Sequence, residues 1–292
     1  MTDIKTIRKV AEEQDAFIIA KQRQHVLAVE KSVVKLQKNI INTMAKLSTD
    51  KTGKILGLRT NLKQSQKIHT KILQLYDSEF NDTARKLIGD FDDVLGVVKK
   101  GYKDLGESVR FTSVDRTAMN VLRDGIYGDY IQISDASRQK VIQAMYDQIL
   151  GGGDMAGLVY QIESALAGST LPVATGRPLI SLARLYARDM TMNFHQEVQL
   201  YKAEEAGLTE FLYIGDIIAS TREFCRRRVG RVYTKQQIEG WTFKWAGKSG
   251  PALTHRGGYN CRHHWQPVKK EWLEGKKKLD VADWNLEQIQ KG

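Results

Sequence analysis

The chain has 292 residues, of which 41% are hydrophobic and 27% charged, and a formal net charge of +11. That length suits about two domains and a sizeable core, and the balance excludes collagen-like and wholly disordered chains. Two cysteines exclude a disulfide scaffold. No apolar run approaches the roughly 20 residues of a membrane helix. The opening residues lack the apolar stretch of a secretory signal, so synthesis in the cytoplasm with no membrane partner is expected.

The first 50 residues contain neither Gly nor Pro, and a helix is expected from about Asp3 to Leu47. Val26, Val29, Val33, Leu36, Ile40 and Leu47 step by three and four, with Thr43 in the remaining place, which is a heptad seam. A turn at 48–53 and a second helix carrying Leu58, Leu62, Ile68, Ile72, Leu75, Tyr76 and Phe80 complete a long hairpin over 1–106. It reads as an assembly region that self-associates or docks on a partner. Gly89, Gly96, Gly101 and Gly106 punctuate the segment after its second helix.

Residues 107–206 read as a helical domain. Ser134 or Asp135 caps a helix ending near Leu150, before Gly151-Gly-Gly153; Asp154 caps another ending near Gly168. A loop spans Leu171–Pro178, and a long helix spans Leu179–Ala206 with Gly207 as its stop. His25, His69 and His195 fall on these helices at surface or interhelical positions. Short segments come next: strands at Phe211–Ile214 and Arg231–Thr234, a helix at Lys235–Gly240 capped by Thr234, and a strand at Tyr259–Val268. The expected fold is mainly α, with a small basic α+β domain at 207–270 and a basic tail at 271–292.

The charge is not spread evenly. Residues 221–278 hold fifteen Lys and Arg against four Glu, which is the whole excess of the chain. A positive field confined to one end suits a polyanion. Arg226, Arg227, Arg228, Arg231, Arg256 and Arg262 are the candidate phosphate contacts, since guanidinium forks match phosphate oxygens. Trp241, Trp245 and Trp265 read as the core of the small domain, with stacking on bases as the alternative.

Cys225, His255, Cys261 and His263 are four soft donors in one short region, the number a structural zinc needs. Cys-x2-Cys spacing is absent, and packed cysteines with surface histidines are the competing reading. His255 with Arg256 offers a general acid/base and an oxyanion partner for metal-free cleavage of nucleic acid. Such a chain would be a nuclease or a nucleotide-transferring toxin; a plain nucleic-acid-binding module is the third possibility.

The order Asp216, Ser220-Thr-Arg222, Cys225, Gly230-Arg-Val-Tyr233, Pro251, His255 and Gly257-Gly-Tyr-Asn-Cys-Arg-His263 resembles the C-terminal domain of tailed-phage minor head proteins, the phage Mu F-like head morphogenesis family. The helix Ala183-Arg-Leu-Tyr-Ala-Arg-Asp-Met-Thr191 with Phe194 is similar to the helix leading into that domain. Many members carry Cys-x2-Cys after the aspartate and end in Cys-Arg-Cys. Here Arg222 and His263 stand at the first and last of those thiols, leaving Cys225 and Cys261. The resemblance implies a non-enzymatic virion component inside the head near the portal. It would bind portal or other head proteins and double-stranded DNA, in several copies, and assist assembly, packaging or ejection.

Overall fold

A computed structural model describes residues 4–168, 177–245, 248–258 and 260–272. The chain is mainly helical, with its strands gathered near the C-terminal end. The helices are α1 (Ile4–Met44), α2 (Leu58–Leu75), α3 (Asp82–Gly89), α4 (Phe91–Asp104), α5 (Ser113–Gly151), α6 (Met155–Leu166) and α7 (Leu179–Glu205). β1 (Glu210–Ile214), α8 (Glu223–Arg226), β2 (Val232–Thr234), α9 (Lys235–Glu239), β3 (Thr242–Trp245), β4 (Lys248–Pro251), α10 (Ala252–His255) and β5 (His264–Val268) complete the order.

Several boundaries have a local cause. The Asp154 carboxylate accepts from the Gly157 N–H and starts α6. Thr234 and Gln237 form a reciprocal capping box on α9. Gly207, at φ 67°, ends α7 in the left-handed region that glycine enters without strain. Other expected boundaries are absent. α5 runs unbroken from Ser113 to Gly151, so Ser134 is not a cap but a buried residue within the helix. Its buried neighbours Tyr130, Ile133 and Val141 outweigh the cost of Gly125 and Gly128. Gly96 and Gly101 lie inside α4 rather than ending it. At Gly101 the reason is close approach: a Cβ would meet the Gln14 amide of α1 at 2.1 Å. The last strand is shorter than expected, since only His264–Val268 pairs. Most of the loop expected at Leu171–Pro178 and the tail beyond residue 272 lie outside the described residues.

The chain forms two compact units that interleave in sequence: 1–23, 90–122 and 188–292 in the first, 24–89 and 123–187 in the second. The boundaries expected at 106 and 206 therefore fall inside the first unit. In the second, the heptad seam is buried within the single chain: Val33, Leu36 and Ile40 have no exposed surface. It is thus core rather than an open assembly face. A π-helical turn at Tyr76–Asn81 extends α2. It brings Tyr76 to the Ser137 hydroxyl, at 2.9 Å, and Phe80 edge-on to Tyr130.

In the first unit β1 is the centre of an antiparallel sheet of order β2-β1-β5. β5 is buried along its whole length, which encloses both its faces. The Gln196 side chain of α7 completes its free edge, accepting from the Trp265 N–H at 2.8 Å and donating to its carbonyl at 3.3 Å. A buried polar network fastens this end of the sheet to α1 and α4. Gln199 donates to Gln14 at 2.6 Å, its own carbonyl accepts from the Tyr102 hydroxyl at 2.9 Å, and its amide lies 3.0 Å from His195 Nε2. His195 packs edge-on to His264, whose Nδ1 is 3.0 Å from the Asp15 carboxylate. Burial, with the charges of His264 and Arg256 adding to it, holds His195 well below the usual histidine range and therefore neutral.

Candidate functional site

Three of the four proposed soft donors come together. Cys225 sits in the short helix α8, Cys261 in the turn before β5, and His263 immediately before that strand. All three are buried, and their donor atoms lie within 4.8 Å of one another. The two sulfurs are 3.7 Å apart, and His263 Nδ1 is 3.7 Å from Cys261 Sγ. His255, at the end of α10, is not part of this cluster, which corrects the expected fourth ligand. After His255 the backbone turns through Arg256 in the left-handed region, φ 54°.

Tyr213 of β1 stands beside both sulfurs. Its hydroxyl lies 3.3 Å from Cys225 Sγ and 3.6 Å from Cys261 Sγ, and its ring stacks on that of His263. Two glycines leave room for the cluster. A Cβ at Gly257 would lie 2.3 Å from Cys225 Sγ, and one at Gly215 would lie 2.6 Å from the His263 ring. The Gly257 N–H also donates to Cys261 Sγ at 3.3 Å.

The two thiols are shifted in opposite directions. The hydrogen bond from Cys225 holds Cys261 well below the usual thiol range, with His263 and Arg256 assisting against burial. The same bond, with burial, pushes Cys225 up. Burial, followed by the neighbouring sulfur charges, raises Tyr213. The shift at Cys261 favours the thiolate, the ligating form. Tetrahedral zinc with Zn–S of about 2.3 Å places two sulfurs about 3.8 Å apart. The donor types and the spacing of these three residues fit that ion.

An exposed arginine stands after each cysteine: Arg226 after Cys225 and Arg262 after Cys261. Arg227 and Arg231 are exposed as well, Arg227 in a surface ion pair with Glu223. Arg228 is half-buried. Its guanidinium carbon lies 3.9 Å from the Phe224 ring centre and 4.2 Å from that of Trp241, so it serves packing first. Arg256 corrects the sequence reading. It is fully buried, donating to Asn193 Oδ1 and the Thr254 carbonyl, and so does not face a phosphate. Trp265 is buried in the sheet with Phe211 and Tyr213 and hydrogen-bonded to the Ala252 carbonyl, while Trp241 packs edge-on to Tyr233. The side chain of Trp245 lies outside the described residues.

The sequence reading missed Tyr213, Gly215 and Gly257. The Gly257-Gly258 pair was the one local signal for close packing around the thiols. Nothing local marks Tyr213, which approaches them from another strand. No family model matches the chain, and neither a curated protein nor a solved structure matches it.

Proposed function

We propose that this chain is a minor head protein of the tailed-phage head morphogenesis type. Its basic C-terminal lobe contacts packaged double-stranded DNA, and its helical units serve binding to portal or other head proteins. The observation that carries this reading is the set of exposed arginines, Arg226, Arg227, Arg231 and Arg262, on the segments that hold Cys225 and Cys261. Those segments are the ones that resemble the minor head domain. A buried centre that fixes the loops while their next residues point outward suits recognition of phosphate without reading of sequence. We also infer that Cys225, Cys261 and His263 hold a structural zinc ion. Its role would be to fix α8 against the turn before β5. The alternative of a nuclease or nucleotide-transferring toxin needs Arg256 beside the reacting group, and that side chain is enclosed.

The test uses the full chain and duplex DNA of two unrelated sequences. Binding should be alike for both and should fall steeply as salt rises. Replacing Arg226, Arg227, Arg231 and Arg262 together by Ala should flatten the log–log salt slope by about 3.6, since each phosphate contact contributes about 0.9. If the quadruple variant keeps the parent's affinity and slope yet fails to enter particles, the arginines recognise a head protein instead.

A further inference from the structure

A second feature of the first unit lies outside the arginine surface and carries the opposite charge. α5 presents Val114, Ala118 and Val121 at helical spacing, and Val114 and Val121 are 69% and 65% exposed. Beside them is a cavity of about 570 Å³ between α5, α7, β1, α9 and α10, open to solvent at Val121 and Tyr201. Leu200, Leu208, Phe211 and Leu253 give it an apolar lining. Its charged lining is Glu197, Glu204 and Glu239 against Lys235 alone, which lies 3.2 Å from Glu204 and 3.9 Å from Glu239. In a chain of net charge +11, this is a local acidic site.

We propose that this groove docks a basic amphipathic helix of a protein partner. The partner's apolar face would lie on Val114, Ala118 and Val121 and fill the cavity, and its Lys or Arg would meet the three glutamates. An exposed apolar stripe that runs into a cavity and is rimmed by charge is the geometry of helix-in-groove recognition. The charge selects the partner: a carboxylate rim repels nucleic acid and acidic peptides and attracts cations. Glu197 adds a further reason. Burial raises it above the usual carboxylate range, against a hydrogen bond from Thr254 and the charge of Arg256, so an incoming cation would stabilise its ionised form. This inference is independent of the DNA reading, because no groove residue belongs to the arginine surface.

The probe is the labelled leucine–lysine peptide LKKLLKLLKKLLKL, titrated by anisotropy into the full chain. The leucine–glutamate peptide LEELLELLEELLEL is its counterpart. The lysine peptide should bind and the glutamate peptide should not. Val121→Arg, and separately Glu204→Lys with Glu239→Lys, should each weaken binding at least about tenfold. These positions are exposed, so unchanged melting curves should accompany the loss. Leu27→Arg, an exposed apolar position in the other unit, should change nothing. The proposal is overturned if the lysine peptide does not bind, if both peptides bind alike, or if the variants bind as the parent does. It is also overturned if the parent is a dimer that Val121→Arg dissociates, since the occupant would then be a second copy of this chain.

Discussion

Gly257 shows how one residue controls the cysteine–histidine centre. It has no side chain to spare, because a Cβ there would lie 2.3 Å from one sulfur and 3.1 Å from the other. Gly257→Ala must therefore push α8 and the Cys261 turn apart. Protein purified without chelator should carry about one zinc per chain, and Gly257→Ala and Cys261→Ala should both lose it and melt earlier. His255→Ala should keep the metal, because His255 is outside the cluster. A metal-free parent whose melting temperature ignores added zinc would remove the ion from the account. Cys225, Cys261 and His263 were legible in the sequence as donor types. The error at His255 came from treating closeness along the chain as closeness in space. Tyr213 reaches Cys261 across 48 residues of sequence, and no local pattern encodes that.

Between elements, a buried ion pair fastens α7 to the start of α5. Lys202 is fully buried, lies 2.7 Å from the Asp115 carboxylate, and donates to the Arg110 carbonyl at 2.7 Å. Burial alone would raise Asp115, but hydrogen bonds from Lys202 and the Thr112 N–H outweigh it and lower the carboxyl to about 2. Because the folded pKa is depressed, the stabilisation is full above about pH 4 and is lost as pH falls through about 2. Asp115→Asn should destabilise the protein at neutral pH, with urea midpoints converging on the parent's as pH falls toward 2. Asp115→Ala leaves a buried ammonium poorly paired and should cost about 3 kcal/mol. Replacing the pair, Asp115→Leu with Lys202→Met, should recover most of that loss. If Asp115→Ala melts with the parent at neutral pH, the pair contributes nothing. α1 and α2 were legible from their period, and α6, α7 and α9 from their caps and stops. The continuity of α5 was not, because Ser134 and Asp135 have the form of a cap and only the packing around them decides otherwise.

At the scale of the whole chain, composition and connectivity tell different stories. The shift to proline, tryptophan and positive charge marks the C-terminal third as distinct in sequence. It does not mark it as independent, because periodicity identifies a helix and not the elements that cover it. The unit containing that third also draws on residues 1–23 and 90–122. His195, Gln199, Lys202 and His264 have no exposed surface, and their partners include Gln14, Asp15 and Asp115, all far to the N-terminal side. A fragment of residues 179–292 would leave Gln199, Lys202 and His264 without those partners and uncover the apolar face of α7 around Phe194 and Val198. Each buried polar group left unpaired costs about 1–3 kcal/mol, and a typical domain has only about 5–15 to lose. The fragment should therefore show helical circular dichroism from α7 but no cooperative urea transition, and no near-ultraviolet signal from a fixed Trp265. The full chain should show both. A fragment that unfolds cooperatively with Trp265 still buried would mean that the sheet and its cysteine–histidine centre suffice as a core, and that the N-terminal segments only dock on it.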